Sequence, residues 1–300
     1  MVIGHFFMNS YDILKSAQFG KYAIGSFNFS TAEILKAIVL AAKDFNSPII
    51  VSTSEGEAEF IGMREAGALV KAWQAATKLP IILNLDHGKS LKSIKKALAA
   101  GYNMVHFDGS ELAYEKNIAE TKKAVDFAKN FGETFDKKII VEGELGYLRG
   151  GSSVHKEKLE IQPEDLTNPE QAREFIEKTG VDSLAMVIGN AHGIFLQNGE
   201  KLNLERLAEI RKEIGDKAFL VLHGGSGISD DDIKKAIELG VVKINVNTEL
   251  RVAYKEAMAK ELAAAPEETT PYKILEPSLE AVKKVVEGKI KLFKSEDKIK

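Results

Sequence analysis

The chain has 300 residues, 44% hydrophobic and 28% charged, with a formal net charge of −3 and no cysteine. It is long enough to bury a sizeable core; the charge balance gives no reason to expect nucleic acid or an anionic membrane as partner, and disulfides and thiolate metal sites are excluded. No run approaches the roughly 20 apolar residues of a membrane helix, and "MVIGHFFMNSYDILKSAQ" lacks the basic start and apolar stretch of a secretory signal, so a cytoplasmic location is expected.

Taken in order, short β-branched runs alternate with longer amphipathic ones. A helix is predicted near Ser10–Phe19. Strands are predicted at Tyr22–Asn28, Pro48–Ser54, Pro80–Asp86, Met104–Asp108, Ile139–Glu144, Ser183–Gly189, Ala218–His223 and Val242–Val246. Each is short and mostly apolar, as parallel strands covered on both faces are. Helical patterns such as "TAEILKAIVLAAKDF" and "SLKSIKKALAAG" separate them, the second closed by Gly101. A last helix is predicted near Glu276–Leu292, followed by a solvated tail. Eight such units in about 250 residues have the size of an α/β (β/α)8 TIM barrel with additional N- and C-terminal helices. An open doubly wound sheet would suit six strands better than eight. One domain over 1–300 is therefore expected, with 276–300 as C-terminal helix and tail. The longest break in the rhythm, residues 146–169 ("GYLRGGSSVHKEKLEIQPEDLTNP"), is expected to be a mobile active-site loop that orders with ligand. The absence of Cys and the abundant Lys and Glu hint at a heat-tolerant source.

A barrel carries its chemistry at the carboxyl ends of its strands. Those ends read Asn28, Ser54-Glu55, Asp86-His87, Asp108-Gly109-Ser110, Glu142-Gly143-Glu144, Asn190-Ala191-His192, His223-Gly224-Gly225 and Asn245-Val246-Asn247-Thr248. Of six histidines, His87, His192 and His223 fall there. Three neutral imidazoles leave an open position on Zn²⁺, as catalytic sites do. Each residue also has a structural alternative. Asp86 can cap the next helix, a lone strand-end histidine can serve a turn, and Glu142 and Glu144 can be inward acids paired to Lys or Arg. Their common rim favours chemistry. His5, His106 and His155 lie elsewhere and read as structural or solvated. "HGGSGISDDDI" and "NVNTE" add a glycine-rich turn before a helix and a matching eighth-strand loop, a phosphate-type arrangement, although Asp230–Asp232 already complement that helix dipole.

Taken together, "GSFNFS", "LDHG", "FDGSEL", "VEGELG", "GNAHG", "VLHGGSGI" and "KINVNTEL" resemble the class II, metal-dependent fructose-bisphosphate and tagatose-bisphosphate aldolases over nearly the whole chain. The resemblance implies that His87, His192 and His223 hold a catalytic Zn²⁺ (Co²⁺ or Fe²⁺ as alternatives, with a monovalent cation as a further prospect). Asp108 and Glu144 would stand near a second metal position, and Asp86 would be the acid/base at the C4 hydroxyl. Gly193, Gly224, Gly225, Ser226, Asn245, Asn247 and Thr248 would surround a phosphate, with Asn28 and Ser54 lining the pocket. The implied partner is a sugar phosphate substrate and the implied assembly a homodimer or homotetramer.

Three departures bear on substrate. Ser152 and Ser153 stand where the loop acid of such aldolases follows Gly-Gly, and Glu157, Glu160 or His155 are the nearest substitutes. Leu196 replaces a lysine, and Leu279 replaces an arginine that meets the distal phosphate from a neighbouring subunit; Arg149, Arg251 or Lys201 are candidates to compensate. The expected reaction is cleavage of fructose 1,6-bisphosphate. The alternatives are tagatose bisphosphate or a ketose 1-phosphate, and a non-catalytic aldolase-like partner subunit.

Overall fold

The computed structural model describes residues 9–157, 160–195 and 201–299. Eight parallel strands close into a barrel: β1 (Ile24–Asn28), β2 (Ile49–Ser54), β3 (Ile81–Gly88), β4 (Met104–Phe107), β5 (Ile140–Leu145), β7 (Ser183–Met186), β9 (Phe219–Leu222) and β10 (Val241–Val246). β10 pairs β1 in register Ile24–Lys243 and Ser26–Asn245, which seals the ring. Two further short strands, β6 (Gly150–His155) and β8 (His192–Phe195), form a separate parallel pair.

Helices cover the outside: α2 (Ala32–Asp44), α3 (Glu55–Ile61), α4 (Met63–Thr77), α5 (Leu91–Ala99), α6 (Tyr114–Phe135), α7 (Pro169–Thr179), α8 (Leu204–Ile214), α9 (Asp230–Glu238), α10 (Thr248–Ala264) and α11 (Pro271–Leu292). Their apolar stripes and the outward strand residues, Leu35, Ile38, Val51, Leu83, Val105, Leu184 and Leu220 among them, make the large core. Ser90 starts α5 by accepting from Ser93 N, and Gly101, at φ 97°, follows its end as expected. The final helix starts at Pro271, five residues earlier than predicted, and carries Pro277 within it.

Side chains on a strand alternate between faces, and this period sorts the barrel interior into layers. The lowest layer is apolar: Ile24, Ile50, Ile82, Met104, Ile140, Phe219 and Val242. The helix α1 (Ser10–Gly20) plugs it from below with Ile13, Leu14 and Ala17. Each large aliphatic side chain so buried contributes roughly 1.5–3 kcal/mol. Two residues further along the strands the interior turns polar, with Ser26, Ser52, Asn84, His106 and Glu142 fully buried, joined by Lys243, one residue past Val242 where β10 shifts register. Two further again come Asn28, Asp86, Asp108, Glu144 and Asn245. Alternation thus carries the barrel from a sealed apolar floor to a polar mouth.

Two predicted boundaries shift. The sixth barrel strand stops at Met186, not Gly189. Beyond it the backbone turns to side chains: Val187 N donates to Thr167 Oγ1 at 2.8 Å and Ile188 N to Asn190 Oδ1 at 2.8 Å. His192 therefore opens β8 rather than closing a barrel strand. The 146–169 segment contains β6 and a 3-10 turn at Pro163–Asp165, and β6 is tied to β8 with Gly150 opposite His192.

Candidate metal and phosphate site

At the strand ends the third, sixth and seventh units bring their histidines together. The His87 ring centroid lies 4.7 Å from that of His223 and 4.8 Å from that of His192. His87 Nε2 and His223 Nδ1 face each other at 3.0 Å. The opposite nitrogens are spoken for: His223 Nε2 lies 2.8 Å from Glu142 Oε1, and His87 Nδ1 lies 2.8 Å from Asp108 Oδ2. A carboxylate only accepts, so both of those nitrogens carry protons. The facing nitrogens, His87 Nε2 and His223 Nδ1, then share one space in which a proton or another electrophile must lie between them. At metal–nitrogen distances of about 2.0–2.1 Å, two ligands of a tetrahedral ion sit about 3.3 Å apart, and the observed spacing fits. The residues present therefore suit a divalent cation.

Electrostatics agree. Burial lowers His223, outweighing Glu142, and it depresses His192, with the nearby His87 and His223, to about 3. Both are neutral at pH 7. Burial alone would lower His87 too, but Asp86, the Asp108 hydrogen bond and Glu144 prevail and raise it to about 9. His87 is thus an imidazolium whose Nε2 proton points at His223 Nδ1.

Asp86 adjoins this space and is buried. Asn28 Nδ2 donates to one of its oxygens at 3.0 Å and Asn245 Nδ2 to the other at 2.9 Å. Burial pushes its carboxyl up, yet the charges of His87, His223 and Lys243 hold it well below the usual carboxylate range. It is an ionised base. Its alternative as a helix cap is set aside, since Ser90 caps α5.

The cavity above these groups has a volume of about 190 Å³. Asn28, Ser54, Gly193, Gly224, Ser226, Asn245, Asn247 and Thr248 all line it, as expected. Gly225 does not; its N–H donates to Asn245 O at 2.8 Å. Gly224 adopts φ 65°, and a Cβ there would lie 1.9 Å from Ala191 O, so only glycine fits where the chain passes β8. α10 begins at the cavity wall with no side-chain N-cap, which leaves a helix N-terminus facing the space where an anion is favoured. A larger cavity, about 560 Å³, opens beside α1 and α4. It lies at the opposite end of the barrel from the buried histidines and acids.

The remaining expected residues separate. Asp108 accepts from His87 Nδ1, Lys89 Nζ, Ser110 N and Ser110 Oγ, and Glu144 Oε2 lies 3.7 Å from His87 Nδ1. From the long loop, Ser152 lines the cavity, whereas His155 stacks on Phe195 and Glu157 and Glu160 are exposed. Arg149 is paired with Asp165, and Lys201 is exposed. Arg251 lines the cavity, bonded to Glu57 Oε1 at 2.6 Å and to Ser152 O at 3.1 Å. Leu279 packs against the core, and Leu196 lies outside the described residues.

Sequence reading missed three participants. Glu57 accepts from Asn28, Asn247 and Arg251, so it ties three cavity residues together; its signal was the Ser54-x-x-Glu57 capping box. Lys243, a lysine inside an apolar strand, donates to both oxygens of Glu142, at 3.0 and 2.7 Å. His106 lies beneath His87, with ring centroids 4.7 Å apart, not away from the site.

A closed eight-stranded barrel with imidazoles, an ionised aspartate and a helix N-terminus around one strand-end cavity defines a TIM-barrel enzyme. Comparison gives its family. The family model of class-II fructose-bisphosphate aldolase matches residues 8–298. A fructose-bisphosphate aldolase of Thermus caldophilus is 38% identical over 308 aligned positions, covering 95% of this chain and 97% of that protein. A Bacillus subtilis (strain 168) protein named a probable fructose-bisphosphate aldolase is 38% identical over 288, covering 95% and 96%. The crystal structure of the YdjI aldolase from Escherichia coli K12 superposes with a TM-score of 0.81 at 34% identity, covering 97% and 98%. The chain belongs to the class II fructose-bisphosphate aldolases and is a lyase of that family, which is generally metal-dependent and acts on sugar phosphates.

Proposed function

We propose that the protein is a zinc-dependent aldolase that reversibly cleaves a ketose bisphosphate, fructose 1,6-bisphosphate foremost, to dihydroxyacetone phosphate and an aldehyde. The observation that carries this reading is the pair of inward-facing nitrogens, His87 Nε2 and His223 Nδ1, at 3.0 Å.

His87, His192 and His223 would hold the ion, with Asp108 and Glu144 beside it. Zinc, when bound, supplies Lewis acidity at the substrate carbonyl. Asp86 takes the proton of the C4 hydroxyl as the C3–C4 bond breaks, and the C4 oxygen becomes the product aldehyde. Asn28 and Asn245 keep Asp86 aimed and hydrogen-bonded. Gly193, Gly224, Ser226 and Thr248 cradle the phosphate nearer the ketone, at the start of α10, and Asn247 and Ser54 close the wall. Arg251, the guanidinium among the described cavity residues, favours a distal phosphate, hence a bisphosphate over a ketose 1-phosphate. Among the described residues no loop acid lines the cavity, so the proton at C3 would be supplied through water or Ser152.

The retained base and ligands speak for catalysis rather than a partner-subunit role. Among the described residues no helix is long and apolar enough to cross a membrane, and we place the enzyme in the cytoplasm as a homodimer or homotetramer. The test is cleavage of fructose and tagatose bisphosphates and fructose 1-phosphate by zinc-loaded and chelated protein. Fructose bisphosphate cleavage that disappears on chelation and returns with zinc is expected; full activity without metal would defeat the proposal.

A further inference from the structure

Among the described residues His87 is unusual in its backbone: φ is +52°, in the left-handed region that a side chain disfavours. β3 changes register against β4 at this point, between Leu85 and Gly88. A residue in that conformation turns its N–H away from the neighbouring strand's ladder and needs another acceptor. His106 provides it. The His87 N–H donates to His106 Nδ1 at 3.2 Å. His106 is fully buried in the layer below the histidine cluster, 4.7 Å from the His87 ring and 4.9 Å from the His223 ring.

That contact fixes the His106 tautomer. A nitrogen accepting a hydrogen bond carries no proton, so the ring proton is on Nε2. Nε2 lies 3.1 Å from Glu144 Oε2 without hydrogen-bond alignment, and both atoms are buried with no hydrogen-bond partner. The strained turn is thus tied to the ring through one contact, His87 N–H to His106 Nδ1.

We propose that His106 is a positioning residue for the cation site: by accepting from its backbone N–H, it holds His87 in the left-handed conformation that aims its imidazole at His223. Its role runs through His87. The consequence for metal rests on the zinc reading above; the tautomer does not. Ligand-orienting partners of this kind are worth about 10–100-fold in metal affinity.

Two side chains separate the ring's nitrogens. Asparagine can place an oxygen near Nδ1, and glutamine places its amide near Nε2. Zinc affinity of full-length protein, measured by chelator competition, should stay within about 3-fold of the parent in His106→Asn and fall by about 10–100-fold in His106→Gln. Equal losses in the two, or no loss in His106→Gln, overturn the assignment. The direct measurement is the imidazole ¹⁵N spectrum of metal-free parent protein. A bare Nδ1 with a protonated Nε2 on His106 supports it; a proton on Nδ1, in a neutral or charged ring, overturns it. If the parent binds no zinc the metal reading fails, and this spectrum still decides the role of His106.

Discussion

Lys243 and Glu142 form a fully buried ion pair inside the barrel, and the same carboxylate that receives the lysine accepts from His223 Nε2. Burial would raise Glu142, but the Lys243 charge and the His223 hydrogen bond hold it well below its ordinary range. One acid thereby couples the stability of the barrel interior to the tautomer of a proposed ligand. Removing one partner of such a pair costs about 3–5 kcal/mol. Lys243→Met should destabilise the protein by about that amount in urea unfolding, while Lys243→Met with Glu142→Gln should recover part of the loss. Equal stability of the parent and the single variant would deny the coupling.

Asp86 is ionised, with both oxygens held by asparagines, and is the proposed base. Asp86→Asn is nearly isosteric and leaves the imidazoles untouched. Turnover should fall by about 10²–10⁴-fold with zinc stoichiometry unchanged. Steady-state assays beside metal analysis check this; unaltered turnover would remove Asp86 from the chemistry.

The raised pKa of His87, about 9, fixes a pH dependence. In metal-free protein its folded value lies above the unfolded 6.5, so its contribution is complete below about 6.5 and disappears as pH rises through about 9. Asp86, Asp108 and Glu142 are lowered; their contributions are present above about 4 and disappear as pH falls through their lower folded values. Zinc binding at pH 7.5 should release a proton from His87. Calorimetry in buffers of different ionisation enthalpy measures that release, and a metal-free melting temperature that climbs from pH 7 to 9.5 would contradict the assignment.

Arg251 is held over the cavity by Glu57 and the Ser152 carbonyl. A charge-assisted contact to a phosphate is worth about 1.5–3 kcal/mol. Arg251→Met should therefore raise KM for fructose 1,6-bisphosphate about 10–100-fold and leave fructose 1-phosphate nearly unaffected. Parallel loss on both substrates would place Arg251 in loop support instead.

Much of this was legible in the sequence because barrel physics is periodic. Strand runs, their polar ends and the gathering of Asp86, His87, His192 and His223 at one rim follow from alternation and from the rule for strand carboxyl ends. What escaped depends on layers rather than ends. His106 and Lys243 sit inside apolar strands, where a single chain gives no sign of which neighbours will satisfy them. The break after Met186 is set by Thr167 and Asn190 competing for backbone groups, and the β6–β8 pairing joins segments about forty residues apart, beyond the reach of local pattern. Gly225 read as a phosphate residue because a glycine-rich turn does not reveal which N–H groups it spends on its own chain.

The central claim is a cation between imidazoles from three separate segments at the barrel mouth. Diffraction from crystals grown with zinc, collected on both sides of its absorption edge, tests it directly. The account predicts an anomalous peak about 2.0–2.1 Å from His87 Nε2, His223 Nδ1 and a nitrogen of His192; zinc-soaked crystals with no anomalous density among these rings would contradict it.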